Sequence, residues 1–405
     1  MYVIVRTKYC NMIEPFIGNK MIKILTGIRR SGKSTLMMLI KKRIIEKGFD
    51  EDSILYINFE SMKHIDLRNT RSFYDHVMKW SIGKGKVCLF FDEIQIVDKW
   101  EEALNSYIVD LDADIYITGS NSNMLSSELS TLLTGRYISF KIMPLTFTEV
   151  LDFQREINPI FDEDKLLWDY IRCGGFPSVH ISTYDEETCH RIVSDIYDSV
   201  ILRDVVQRFS IRNIELLNRI IKYITDNIGN TFSAKSISDY FKSQQRKVDL
   251  NTVYNYIEAL ESSYIVSRVN RYDLYGKEIL KTQEKFYLAD HGIQHAIFGY
   301  RDRNISGILE NIVYNDLKMK GYQVYVGKIY DSEIDFVAEK HNERIYVQVA
   351  YQMNSEKTIS REFKPLLMVK DHYPKYVVSM DSNFSDNIEG VRHIYLKDFV
   401  KSTII

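Results

Sequence analysis

A chain of 405 residues is too long for one ordinary core, so two or three domains are expected. With 45% hydrophobic and 27% charged residues the composition is globular, and a net charge of −2 excludes any case for nucleic-acid binding built on overall charge. Cys10, Cys88, Cys173 and Cys189 lack C-x-x-C spacing, no apolar run has membrane-span length, and residues 1–11 lack a signal-peptide core; the expectation is a cytoplasmic protein without structural zinc or a membrane partner.

Residues 1–20 read as a short lead-in arm. From Met21 apolar strands alternate with helices: strands over 21–26, 53–59, 87–91, 114–118 and 137–142, with helices over 33–47, 70–82, 98–110 and 122–133 between them. Near-continuous apolar strands separated by helices predict an α/β unit, a parallel sheet covered on both faces. Between the first strand and helix, Gly27, Ile28, Arg29, Arg30, Ser31, Gly32, Lys33, Ser34 and Thr35 contain G-x-x-x-x-G-K-[ST] with no departure. Glycines let backbone N–H groups turn inward on phosphates, and the helix N-terminus adds its positive end. In this pattern Lys33 reaches the β- and γ-phosphates and the Ser34 hydroxyl ligates Mg²⁺. A nucleoside triphosphate is the expected ligand, with ATP and Mg²⁺ as cofactors.

The strand over 87–91 delivers Asp92 and Glu93 at its C-terminal end, where α/β sheets bind ligands. Asp92 is the expected Mg²⁺-shell carboxylate, and Glu93 is placed to polarise an attacking water, which implies hydrolysis. The next strand ends near Ser120 and Asn121, candidates to touch the γ-phosphate or that water, or else caps of the following helix. Arg136, just before the last strand, is a candidate arginine finger in cis or from a neighbouring subunit; a solvated arginine at a strand start is the alternative.

With these motifs in order, residues 21–150 resemble the core of an AAA+-type P-loop ATPase. More narrowly, the loop at 27–34, Asp92-Glu93, Thr118 with Ser120, Arg136, and the run from Pro144 to Glu149 resemble a large prokaryotic family. Its members join an AAA+ core to a C-terminal domain of unknown function, and the likeness continues through Gly174 to Pro177, Arg203-Asp204, Glu310-Asn311 and Glu333 to Phe336. The resemblance implies self-association into a homo-oligomer, with composite sites at subunit interfaces. It also implies a helical lid whose basic residue senses the γ-phosphate, with Arg203 the first candidate and Arg172 the second.

Thr146 and Glu149 form a capping box ahead of a helical stretch over 146–230. Residues 233–241 and 250–260 have helical spacing, and β-like stretches follow over 265–272 and 284–288, which suggests a winged helix-turn-helix. Basic residues outnumber acidic ones only slightly between Lys235 and Lys285, so DNA and an unknown protein both stand as partners.

Residues 300–405 resemble the PD-(D/E)XK, restriction-endonuclease-like arrangement, with Glu310, Asp335 and Glu333 matching and with Gln348 and Ala350 where an acid and a lysine belong. Binding without cleavage is expected, unless a lysine such as Lys328 or Lys357 migrates into the site. The expected domains are a P-loop core over 1–145, a helical lid over 146–212, a winged helix over 213–299 and a nuclease-like α/β domain over 300–405.

Overall fold

The computed structural model describes residues 4–122, 133, 135–246, 248–299, 304–384 and 387–402, and the helix expected over 122–133 falls largely outside them. Two compact units result. One is Met1–Met143 with Ser262–Tyr264, the other Pro144–Glu261 with Ile265–Ile405.

The first unit is a five-stranded sheet of β1 (Ile22–Thr26), β2 (Ile54–Asn58), β3 (Val87–Asp92), β4 (Ala113–Gly119) and β5 (Tyr137–Lys141) in the order β2-β3-β4-β1-β5. Every pairing is parallel. That is the arrangement the alternating pattern predicts, because strands buried on both faces need helical crossovers. All six residues of β3 are buried. Helix Thr70–Ser81 starts at Asn69, whose side chain accepts from the N–H groups of Arg71 and Ser72, and it turns Phe73 and Val77 inward. There Phe73 meets Phe91 and Tyr107 edge to face, with centroids 4.8 and 5.4 Å away.

Because the strands are parallel, the C-terminal ends of β1, β3 and β4 lie side by side at one edge of the sheet. One polar pair breaks the apolar pattern behind that edge. Lys23 of β1 is fully buried, with its ammonium on Asp114 of β4 and over the Tyr116 ring.

The second unit begins with helix Phe147–Ile157, whose Thr146–Glu149 capping box is formed. Helix Glu186–Val200 runs on into a π-helical segment, Ile201–Gln207. Helices Ala234–Ser243 and Leu250–Ser262 are followed by the hairpin of β6 (Val266–Asp273) and β7 (Glu278–Leu288).

That hairpin joins the C-terminal strands β8 (Gln323–Ile329), β9 (Ser332–Lys340), β10 (Glu343–Val349), β11 (Lys375–Ser379), β12 (Asn387–Ile388) and β13 (Val391–Tyr395). Together they form one eight-stranded sheet in the order β12-β13-β11-β10-β9-β8-β6-β7. The sheet therefore crosses the boundary expected at 299. Helices Ile305–Met319 and Glu356–Leu367 pack against it. Among the described residues no helix is long and apolar enough to cross a membrane.

Candidate functional site

The loop over 27–35 sits between β1 and helix Lys33–Glu46. A Cβ on Gly27 would meet the Ile142 carbonyl oxygen at 2.1 Å, so the chain after β5 can close on the loop only over a glycine. Gly32 holds φ +94° at the helix start, the left-handed turn that aims the following N–H groups at the loop's centre. Lys33 is buried and donates to the carbonyls of Gly27 (3.0 Å) and Ile28 (3.1 Å), so its ammonium lies across the loop. Arg29 pairs with Glu60 at 2.8 Å. From the N-terminal arm, Arg6 donates to the carbonyls of Ser31 and Met143, both at 2.9 Å, and so ties the loop to the segment after β5.

Asp92 is fully buried at the end of β3 and accepts four bonds. Ser34 Oγ (3.0 Å) and Thr118 Oγ1 reach its Oδ1; Tyr56 OH (2.8 Å) and Asn58 Nδ2 (3.0 Å) reach its Oδ2. Burial first, and then the Asp92 charge, push the Tyr56 hydroxyl well up, so it stays a proton donor. Thr118 has a second role, accepting from the Glu93 N–H at 2.8 Å. Glu93 adopts φ 57°, ψ 46°, a left-handed conformation that costs a non-glycine residue about 1–2 kcal/mol. That turn carries its carboxylate away from the β3 axis, and Gln95 Nε2 holds Oε2 at 2.5 Å. The loop, Asp92 and Glu93 thus form one connected group.

Ser120 and Asn121 are buried just past β4, beside β1, whose Thr26 pairs with Gly119. Arg136 lies elsewhere. Its neighbour Tyr137 pairs with Ile22, the first residue of β1, while the loop follows the last. Five strand residues, about 16 Å, separate the two ends, and the exposed Arg136 bonds Asn105 at 3.1 Å. An in-cis finger is therefore corrected: Arg136 stands at the opposite edge of its own sheet. Arg203 is exposed on the π-helical segment of the second unit, where Arg172 pairs with Glu186 at 3.4 Å.

Tyr56, Asn58 and Arg6 carry no motif mark, and Thr118 and Gln95, which fall within the motifs of the resemblance, had no role expected of them. Asn58 had a signal, since it is the register partner of Asp92 once β2 and β3 are paired.

In the second unit Glu310, Glu333 and Asp335 converge. The cation missing from the strand over 346–350 is present after all: Lys285 of β7 places Nζ 3.1 Å from Glu310, 2.9 Å from Glu333 and 2.9 Å from Asp335. Lys328 is instead turned to Asp273 at 3.5 Å. Gln348 accepts from the Asp335 N–H and donates to Glu362.

Comparison with known proteins adds the family. Residues 19–151 match the AAA domain, and residues 164–304 match a domain of unknown function. An uncharacterized protein of Haemophilus influenzae is 35% identical over 399 residues, covering 98% of each chain. Another, of Methanocaldococcus jannaschii, is 32% identical over 360 residues, 86% of this chain and 78% of its own. Among solved structures, a Walker-type ATPase of Pyrococcus abyssi has a TM-score of 0.51 at 15% identity, covering 73% of this chain and 95% of that one, a likeness of fold alone.

Proposed function

This chain is an AAA-domain protein of the family that includes its Haemophilus influenzae and Methanocaldococcus jannaschii relatives, and from that premise we propose that it binds and hydrolyses ATP with Mg²⁺. The observation that carries the proposal is the bonded chain from Ser34 through Asp92 and Thr118 to Glu93. Ser34 and Asp92 fit Mg²⁺, being hard oxygen donors 3.0 Å apart at the end of the loop. When bound, the ion neutralises charge on the β- and γ-phosphate oxygens. Lys33 and the N–H groups after Gly32 hold the phosphates. Glu93, fixed by Thr118 and Gln95, accepts the proton of the attacking water.

Lys33→Ala is expected to lose ATP binding, because the phosphates lose their fixed cation. Glu93→Gln is expected to keep binding while turnover drops about 100-fold or more, the contribution of a positioned base. A wild-type rate in Glu93→Gln would refute the assignment.

The target of the ATPase in this proposal is DNA, engaged through the second unit. Support comes from helices Ala234–Ser243 and Leu250–Ser262 followed by the β6–β7 hairpin, a winged-helix order. The second of these helices buries Val253, Ile257 and Leu260 and leaves Asn251, Tyr254 and Asn255 exposed, a polar face suited to reading. Measuring ATP turnover with and without duplex DNA decides the matter. An unchanged rate with no DNA retained would favour a slow nucleotide-gated switch acting on a protein partner.

A further inference from the structure

Two arginines stand side by side in the phosphate loop, and the fold treats them differently. Arg30 is exposed, at a left-handed φ of 67°. The Arg29 side chain is only 13% exposed, and its Nη1 donates to Glu60 Oε1 at 2.8 Å. Glu60 lies just past β2, the strand that pairs with β3. The guanidinium is therefore drawn to the side of the loop on which Asp92 stands. A ring of bonds ties the two together. Ser34 Oγ and Asn58 Nδ2 both donate to the Asp92 carboxylate at 3.0 Å, and Asn58 Oδ1 accepts from the Glu60 N–H at 2.8 Å. Arg29 on Glu60 closes the ring back to the loop that carries Ser34.

Neither partner needs this ion pair to hold its segment in place. Past β2 the Phe59 N–H donates to the Asp92 carbonyl at 3.1 Å, and the Phe59 carbonyl accepts from Arg68 at 3.0 and 2.7 Å. His64 Nδ1 bonds the Asn58 carbonyl at 2.9 Å. The loop is tied separately, by Lys33 to its own carbonyls and by Arg6 to Ser31. The Glu60 side chain is 40% exposed, so solvent weakens its hold on Arg29. A guanidinium is a planar fork of donors that matches phosphate as well as carboxylate. Beside a site for a triphosphate, Arg29 has a more highly charged partner to turn to.

We propose that Arg29 exchanges Glu60 for the γ-phosphate of ATP, and that it is the in-cis arginine that Arg136 is not. The proposal rests on the ATPase reading and adds a catalytic residue to it. Water adds to the γ-phosphorus, the bond from that phosphorus to the β,γ-bridging oxygen breaks, and ADP leaves with the oxygen. Glu93 takes the proton that the water gives up. Charge spreads over the three γ-oxygens in this step, and the Arg29 fork meets two of them at once. Glu60 is the resting partner. Its carboxylate keeps the guanidinium at the loop and competes for it with phosphate.

The test asks whether the two halves of the pair have opposite signs. In full-length protein Arg29→Ala is expected to lower kcat about 1,000-fold. Arg29→Lys keeps the charge but not the fork, and should recover part of the loss. Glu60→Gln is expected to raise kcat/KM about two- to fivefold, the worth of a half-exposed ion pair, and to change nothing in the Arg29→Ala background. Titration calorimetry with ATP and with ADP gives a readout that needs no turnover. The ratio of ATP to ADP affinity should fall at least about tenfold in Arg29→Ala, as expected for a lost hydrogen bond to a charged group. Losses in both Arg29→Ala and Glu60→Gln would show the pair to be a brace and overturn the proposal, as would an unchanged affinity ratio in Arg29→Ala. Wild-type protein that binds ATP without turning it over would sink the hydrolysis reading, while the affinity ratio still decides whether Arg29 meets the γ-phosphate. Protein that binds neither nucleotide overturns both.

Discussion

Thr118 shows how much one hydroxyl can organise. It donates to Asp92 and accepts from the Glu93 N–H, so it couples the carboxylate of one residue to the backbone of the next. Thr118→Val keeps the shape and removes both bonds, leaving a buried N–H without its acceptor. A loss of about 1–3 kcal/mol is expected, read as a shift in the urea midpoint. ATP turnover should fall with it, because the left-handed Glu93 loses its tether, while Thr118→Ser should restore most of both. Equal midpoints and equal turnover in Thr118→Val and wild type would show the bridge to be idle. Arg6 makes a comparable link from the N-terminal arm, through two carbonyls 112 residues apart in sequence, Ser31 and Met143.

At the scale of one element, helix Glu163–Cys173 has an unusual C-terminus. The carbonyls of Tyr170, Ile171, Arg172 and Gly174 are met by ring nitrogens of His291 (2.7 Å), His295 (3.1 Å), His190 (3.0 Å) and His180 (2.8 Å). The Tyr170 carbonyl also accepts from the Gly174 N–H at 2.9 Å; beyond it, carbonyls at the helix end are satisfied by histidines from outside. Beside them Asp290 accepts from the N–H groups of Gly175 (2.7 Å) and Gly292 (2.8 Å). Burial pushes His291 down to about 3 and His180 and His295 down to about 4, and it pushes Asp290 up to about 7.

The signs oppose each other. Between about pH 4 and 6.5 the unfolded chain protonates all three of these histidines and the folded chain does not, whereas only the folded chain keeps the Asp290 proton. The net from this cluster is two more protons on the unfolded chain, so its contribution to stability falls by about 2.7 kcal/mol per pH unit as pH drops through this window. Asp290→Asn removes the opposing group, and the slope should steepen by about 1.4 kcal/mol per pH unit, the cluster's share rising toward about 4.1. Urea titrations from pH 4.5 to 6.5 measure it, and an unchanged slope would mean that Asp290 ionises normally in the fold.

At the scale of the whole molecule, the position of Arg136 bears on assembly. The start of β5 lies about 16 Å along the sheet from the loop after β1, so an Arg136 that serves a nucleotide serves a neighbour's. Mixed Arg136→Ala and Lys33→Ala subunits are then expected to recover part of the activity that each lacks alone, because some interfaces retain both groups. Light scattering under ATP provides the second check. A strictly monomeric protein, or mixtures no more active than their parts, would leave Arg136 as a surface residue bound to Asn105.

Nine consecutive residues from Gly27 to Thr35 were enough to foresee a phosphate-binding loop, because a loop's chemistry depends on glycines and a lysine at fixed spacing along the chain. The alternation of apolar strands with helices likewise determined a parallel α/β unit, since period and burial are local properties. Strand order is not local. Tyr56, Asn58 and Thr118 reach Asp92 from 36, 34 and 26 residues away, and only the pairing of β2, β3 and β4 makes them neighbours. The same holds for the edge of the sheet on which Arg136 stands. Lys285 is the extreme case. It meets Glu310 across 25 residues and Asp335 across 50, from a hairpin whose ladder shifts beside it. A lysine on a strand carries no sequence mark of the carboxylates that will surround it. Only the joining of the β6–β7 hairpin to the C-terminal sheet decided that an ammonium would stand beside Asp335, with Gln348 and Ala350 on β10 and just past it.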